Sequence, residues 1–116
     1  RFQVSSNKAS FGHVYIANAS GQVYLLGENI RMRARAPLVV PKPSLTLRAS
    51  APAGDNTVVF VATRERLPGF AGGATTTTPR DIQVSGAELL GRLDQQLSAF
   101  DRDDWGMTKM SVRVLP

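Results

Sequence analysis

His13 is the only histidine in the chain, so acid–base or nucleophilic chemistry would have to involve it. A catalytic triad also needs a serine on a tight strand-to-helix turn, and the sequence contains no Gly-x-Ser-x-Gly. His13 lies in an apolar run that is typical of a strand, which favours a hydrogen-bonded core or rim histidine over a base. The sequence therefore predicts no catalytic residue and no enzymatic activity.

The acidic run 101–104, with Gly106 behind it, resembles the first half of a calcium-binding loop. Trp105 and Val112 occupy the fifth and twelfth positions of that loop, where ligands are needed, so a solvated helix-to-strand turn is the better interpretation. One histidine and no cysteine exclude a structural zinc site. No glycine-rich loop is followed by Lys-Ser or Lys-Thr, so a phosphate-cradling loop is not predicted. We expect neither a metal nor a cofactor.

Arg31, Arg33 and Arg35 are the clearest sign of a binding partner, and Lys42 extends the set. If this segment is extended, the three guanidinium groups project from one face at intervals of about 7 Å. Guanidinium groups suit carboxylate and phosphate partners. Nucleic-acid binders interleave aromatic residues with their cations, and none lies between positions 28 and 60. An ordinary solvated edge strand that is protected by its charges explains the arginines as well. The functional hypothesis is that Arg31, Arg33 and Arg35 contact an acidic protein partner.

The length and composition of the chain indicate more about its fold than about its chemistry. The chain has 116 residues, of which 42% are hydrophobic, and residues 1–116 suit one domain whose core needs no disulfide. No apolar run approaches the roughly 20 residues of a membrane helix. The net charge of +5 is uneven, because residues 1–66 carry nine Lys/Arg against three Asp/Glu. The chain starts at Arg1 rather than Met, so we expect a piece of a longer or processed protein.

The strongest strand signal is the continuous apolar run 58–62. A strand that is apolar at every position is typical of a strand buried on both faces. A hairpin is predicted over residues 11–26, and residues 27–29 are expected to end its second strand. Further strands are predicted at residues 2–4, 30–36, 38–40, 45–49 and 107–115.

One helix is predicted over about residues 86–99. Ser85 and Glu88 fit a capping box at its start. Its apolar side chains then fall on one stripe, formed by Leu89, Leu90, Leu93, Leu97 and Phe100. Gly91 in this helix suggests that its back lies close to a strand.

The order of these elements predicts an α+β fold that is mostly β. Many strands, one helix and one last strand favour an antiparallel sheet or a small β-sandwich, with the helix packed on it. Residues 71–79 contain glycines and threonines but nothing to bury, so a mobile surface loop is expected there.

With its elements in order, the chain resembles the bacterial family catalogued as domain of unknown function 4384. The features that carry the resemblance are Gly-His-Val-Tyr-Ile at 12–16, Ser-Gly-Gln-Val-Tyr-Leu-Leu at 20–26, Leu-Val-Val-Pro at 38–41, Ala-Pro-Ala-Gly at 51–54 before the strand 58–63, and Arg-Leu-Pro at 66–68. They cover about residues 1–70. The family tends to show Pro-Asn after its second strand, whereas this chain has Gly-Glu-Asn at 27–29.

The resemblance implies an extracytoplasmic accessory domain, often appended to lipoproteins and sometimes near secretion machinery, with no shared enzymatic residues. We therefore expect a non-catalytic interaction or structural module of the bacterial envelope, periplasmic or associated with the outer membrane. Its expected partner is another envelope or secretion-system protein. The alternative is a small-ligand or glycan- and peptidoglycan-binding domain, with a pocket near Trp105 and the threonine-rich loop 75–78. Nucleic-acid binding is a weaker third hypothesis.

Overall fold

The architecture is a five-stranded antiparallel sheet with one helix on one of its faces. The structure is a computed structural model, and it describes residues 2–4, 6–36, 38–40 and 54–114. The strands are β1 (Phe2–Val4), β2 (Ser10–Ala17), β3 (Val23–Met32), β4 (Leu38–Val40), β5 (Gly54–Thr63), β6 (Arg80–Asp81) and β7 (Trp105–Val114). The helix α1 spans Gly86–Leu97, and a short 3-10 helix, Arg102–Asp104, precedes β7.

The large sheet has the strand order β6-β3-β2-β5-β7, and β1 pairs with β4 in a separate two-stranded sheet. Every pairing is antiparallel. The prediction of an α+β fold, mostly β, with one packed helix is confirmed. The predicted strand at 45–49 and the cation Lys42 lie outside the described residues.

The β2–β3 hairpin forms where turn residues separate two strand-forming runs. The Asn18 side-chain Oδ1 accepts from the backbone N–H groups of Ser20 at 3.1 Å and Gln22 at 3.0 Å. Gly21 has φ +89°, a conformation that glycine adopts without steric cost. The hairpin predicted over residues 11–26 is therefore confirmed.

The two faces of the sheet bury different clusters. On the helix face, one cluster joins sheet and helix and consists of Tyr15, Val23, Leu25, Val59, Val61, Leu67, Leu89, Leu93 and Leu97. On the opposite face, Val14, Leu26 and Val58 are buried. Strand β5 lies between β2 and β7 and contributes to both clusters, as its continuous apolar run predicts.

The helix begins at its predicted cap. The Ser85 hydroxyl accepts from the Glu88 backbone N–H at 3.1 Å, and Leu89, Leu93 and Leu97 face the core. The expectation for Gly91 is wrong, because Gly91 is exposed and a Cβ added there would meet no atom within 4 Å. Within the described part of the chain, no helix has the length and apolarity needed to cross a membrane.

Strand β3 differs from the prediction in two places within residues 27–36. It continues through Gly27 to Met32 instead of breaking. Val14 pairs with Gly27 and Gly12 pairs with Ile30, so Glu28 and Asn29 together face the single residue His13 in a β-bulge.

The predicted strand 30–36 is also wrong in its second half. Strand β3 ends at Met32, and the next residues turn, with Arg35 at φ +63° and the Ala36 N–H donating to the Arg33 carbonyl at 3.2 Å. Arg31, Arg33 and Arg35 therefore do not form a stripe on one strand face.

Candidate functional site

The β3 bulge places a cluster of polar side chains inside the molecule. His13, Glu28, Asn29 and Thr63 all have 0% of their surface exposed. They lie between the sheet and the loop of residues 64–79, called the clamp loop below. Burying polar groups is costly unless each is hydrogen-bonded, so their partners decide what this cluster can do.

The Glu28 carboxylate accepts hydrogen bonds from three donors. The Tyr15 hydroxyl donates to Oε2, the Phe70 N–H donates to Oε1 at 3.0 Å, and the Ala71 N–H donates to Oε1 at 2.9 Å. The Glu28 backbone also exchanges two hydrogen bonds of 3.0 Å with Thr76. Within the described residues the only ion pair joins Arg64 to Asp104, so hydrogen bonds rather than a cation hold this carboxylate there.

Tyr15 stays protonated in this environment. Burial raises the pKa of its phenol far above the ordinary value, and the neighbouring Glu28 charge and hydrogen bond raise the pKa further. Tyr15 is therefore a fixed hydrogen-bond donor to Glu28.

Gly69 lies directly against the Glu28 carboxylate. It has φ +55°, and a Cβ at this position would overlap the Glu28 carboxyl group. Its N–H donates to the Gln96 side chain on the helix at 2.7 Å. Only glycine allows the clamp loop to pass this close to Glu28.

His13 is a hydrogen-bonded core histidine, as its apolar run predicts. Its Nδ1 accepts from the Asn29 N–H at 3.1 Å, and its Nε2 lies 2.9 Å from the Thr63 hydroxyl, which itself donates to the Glu65 carbonyl at 2.6 Å. These partners select the neutral tautomer with the proton on Nε2. Burial lowers the pKa of His13 to about 4. Both ring nitrogens are occupied within the fold.

Asn29 ties the clamp loop to the sheet. Its side-chain amide donates to the Leu67 carbonyl at 2.8 Å and accepts from the Leu67 N–H at 2.8 Å. The Thr75 hydroxyl donates to the Asn29 carbonyl at 2.9 Å. None of residues 71–79 is fully buried, as their lack of large apolar side chains predicts, but hydrogen bonds of Ala71, Thr75 and Thr76 anchor the loop to the bulge.

A group of cations surrounds Phe11 at the end of the sheet away from the β2–β3 turn. The Arg31 and Arg66 guanidinium carbons lie 5.8 Å and 5.0 Å from the centroid of the Phe11 ring. Arg66 also donates from Nη1 to the Gly73 carbonyl at 3.1 Å and to the Thr75 hydroxyl at 3.0 Å. We call Phe11, Arg31 and Arg66 the basic end. Arg66 was not predicted as a binding residue, because only tertiary contacts bring it to Arg31.

The other predicted partner-binding residues lie in the turn that follows Arg31 and strand β3, or outside the described residues. Arg33 and Arg35 are exposed in the turn after β3, where the Arg35 N–H donates to the Ser6 carbonyl at 2.6 Å. This contact brings the turn to the bend 6–9, which carries Lys8. Lys42 is not among the described residues. A backbone hydrogen bond therefore joins the turn after β3 to the bend 6–9, and the arginines do not share one strand face.

A cleft of about 490 Å³ opens beside the basic end. Its described lining residues are Ser6, Asn7, Lys8, Ala9, Ser10, Ala62, Thr63, Arg64, Asp103, Asp104, Trp105 and Gly106. A smaller cleft of about 310 Å³ is lined by Phe70, Arg92 and the segment 80–83. In the part of the chain that the structure describes, no group of three or more His, Cys, Asp or Glu side chains is placed to hold a metal ion.

The Trp105 indole packs against other parts of the fold. It packs against the helix-face cluster, and the Arg102 guanidinium carbon lies 4.1 Å from its ring centroid. The threonine-rich loop 75–78 does not appear among the cleft's described lining residues. The pocket expected between Trp105 and that loop is therefore replaced by a cleft between Trp105 and the bend 6–9.

Comparison of the chain with protein-family models, curated proteins and solved structures finds no match. The resemblance to the domain of unknown function 4384 family therefore stays a prediction.

Proposed function

We propose that this protein is a non-catalytic interaction module of the bacterial envelope that contacts an acidic partner protein through its basic end. The observation that carries the proposal is the pair of guanidinium groups, Arg31 and Arg66, held against the half-buried Phe11 ring. Two guanidinium groups beside one aromatic ring offer paired donors for carboxylates together with an apolar contact.

Arg66 is positioned before any partner arrives. Its Nη1 is already fixed by Gly73 and Thr75, and both belong to the loop that Glu28 and Asn29 hold. Among the described residues only Nη1 of Arg66 is hydrogen-bonded, so its Nε and Nη2 can donate to a partner carboxylate. Because the side chain is ordered in advance, binding loses less conformational entropy.

The surrounding charge favours an acidic partner. Lys8, Arg33, Arg35 and Arg64 lie in segments next to the basic end and are exposed. Cations grouped in this way speed association with an acidic protein surface and disfavour binding to a basic protein surface.

The groups suited to catalysis support a non-catalytic role. His13 uses both ring nitrogens inside the fold, and the Glu28 carboxylate is occupied by Tyr15 and two loop N–H groups.

The envelope location, in the periplasm or at the outer membrane, and the secretion-system or lipoprotein context rest on the family resemblance of residues 1–70.

Titration with a fluorescein-labelled decaglutamate peptide tests the proposal. We expect Arg31→Ser with Arg66→Ser to weaken binding at least about tenfold at low salt. The matched control, Arg92→Ser with Lys109→Ser, removes the same charge from the helix and β7 and should change the Kd less than about twofold. Equal losses in the two double variants would show that net charge alone is responsible, and the proposed site would be wrong.

A second candidate function is small-ligand or glycan binding. It is favoured by one observation, the cleft of about 490 Å³ beside Trp105, which lies within the usual size range of ligand pockets. A thermal-shift screen of small molecules against the wild-type protein and a variant with a filled cleft tests it.

A further inference from the structure

The floor of the larger cleft contains two small residues on neighbouring strands. Ala62 on β5 pairs with Gly106 on β7, and both line the cleft. Directly paired residues point to the same face of a sheet, and here it is the face of Val14, opposite the helix. Neither residue has a side chain beyond Cβ, so this part of the floor is shallow and apolar.

The walls of the cleft carry balanced charge. The bend 6–9 contributes Lys8, and the opposite side contributes Arg64, Asp103 and Asp104. The Arg64 Nη1 lies 3.5 Å from the Asp104 Oδ1. The ionic groups among the described lining residues are therefore two cations and two anions, with no net charge.

We infer that this cleft binds a neutral saccharide, an inference that rests on the second candidate function. Each sugar hydroxyl both donates and accepts, so it matches a wall that offers carboxylate acceptors beside ammonium and guanidinium donors. The apolar face of a pyranose ring covers the Ala62 and Gly106 floor. The volume of about 490 Å³ is in the range that holds a small oligosaccharide.

Because the described lining of the cleft has no net charge, its ligand should differ in charge from the acidic partner proposed for the basic end. A strongly anionic ligand would meet Asp103 and Asp104, and a strongly cationic one would meet Lys8 and Arg64. Trp105 is not the stacking platform, because its ring packs against the helix-face cluster and Arg102. Recognition here comes from hydrogen bonding above a small-residue floor.

Gly106→Val is the variant that fills the cleft without breaking the fold. A Cβ at Gly106 would meet no atom within 4 Å, and valine favours a strand. The variant should keep the wild-type Tm within a few degrees and keep decaglutamate binding, since it alters neither Arg31 nor Arg66.

Isothermal titration with maltotriose and tri-N-acetylchitotriose, with anionic trigalacturonate for comparison, tests the inference. We expect one or both neutral trisaccharides to bind with a Kd of about 1 mM or tighter, and Gly106→Val to weaken that binding at least about tenfold. Trigalacturonate should bind at least about tenfold more weakly than the better neutral ligand.

Three results would overturn the inference. Absence of neutral saccharide binding at about 10 mM is the first. Equal binding of trigalacturonate is the second, and binding that Gly106→Val leaves unchanged is the third. If other small molecules raise the Tm of the wild-type protein but not of Gly106→Val, the saccharide inference fails while small-ligand binding stands. If no compound raises the Tm, both fail.

Discussion

Glu28 shows how one residue joins the fold to the proposed binding surface. Its carboxylate holds Phe70 and Ala71, and its backbone holds Thr76, within the loop that positions Arg66. The sequence does not predict this role of Glu28, because Gly-Glu-Asn at 27–29 indicates the end of a strand. What it could not show is that Phe70 and Ala71, which are 42 and 43 residues later in the chain, supply the donors.

Replacing Glu28 by Gln should therefore be strongly destabilising. The amide keeps the shape, but an NH2 group in place of Oε1 would face the N–H groups of Phe70 and Ala71. An NH2 group in place of Oε2 would leave the Tyr15 hydroxyl proton without its acceptor. We expect the free energy of unfolding to fall by about 2 kcal/mol, measured by urea denaturation. Glu65→Gln is the control, because Glu65 is exposed, and it should change stability by less than about 0.5 kcal/mol. Equal stability of the two variants would contradict the role given to Glu28.

His13 should make the stability of the fold depend on pH. Its pKa in the fold is about 4, below the ordinary value of about 6.5 that it takes in the unfolded chain. Between those values the unfolded chain binds more protons, so this contribution is complete above about pH 6.5 and is lost as the pH falls towards 4. The total loss is roughly 3 kcal/mol.

Urea denaturation of the wild type and of His13→Gln between pH 7.5 and 4 measures this contribution. Gln cannot ionise, so the wild-type protein should lose more stability than the variant as the pH falls through this range. Parallel pH profiles for the two proteins would show that protonation of His13 is not coupled to unfolding. The burial of His13 was predictable from its apolar run, but the bulge residue Asn29 that fixes its tautomer was not.

At the scale of elements, local signals predicted the helix and the hairpin well. Ser85 and Glu88 marked the helix start, and Leu89, Leu93 and Leu97 form the buried stripe. The predicted helix end near residue 99 is two residues late, because the chain turns after Leu97. The bulge and the true end of β3 were missed, since both depend on pairing with β2 and on contacts with the clamp loop.

The two glycines Gly91 and Gly69 should respond to alanine in opposite directions. Gly91 is exposed within α1 with free space around its Cβ position, so Gly91→Ala should stabilise the protein by roughly 0.5–1 kcal/mol. Gly69 has φ +55° and no space beside Glu28, so Gly69→Ala should destabilise it by about 1–3 kcal/mol. Thermal and urea unfolding of both variants provide the measurement, and a loss of stability in Gly91→Ala would show that the helix is placed wrongly.

For the whole molecule, sequence patterns predicted the fold class but not the binding surface. A mostly β fold with one helix follows from element order, because each amphipathic element must bury one face. The cationic character of residues 1–66 was also visible. The meeting of Arg31 with Arg66 across Phe11 depends on strand order and on the clamp loop, neither of which has a local signature.

NMR titration of the ¹⁵N-labelled protein with the decaglutamate peptide tests the proposed binding surface most directly. We expect the largest chemical-shift changes at Phe11, Arg31 and Arg66, and only small changes around Arg80 and Arg92 in the smaller cleft. Raising the salt concentration should reverse the changes, because the contact is between charged groups. Changes centred on Arg80 and Arg92, or spread evenly over all exposed cations, would contradict a partner site at the basic end.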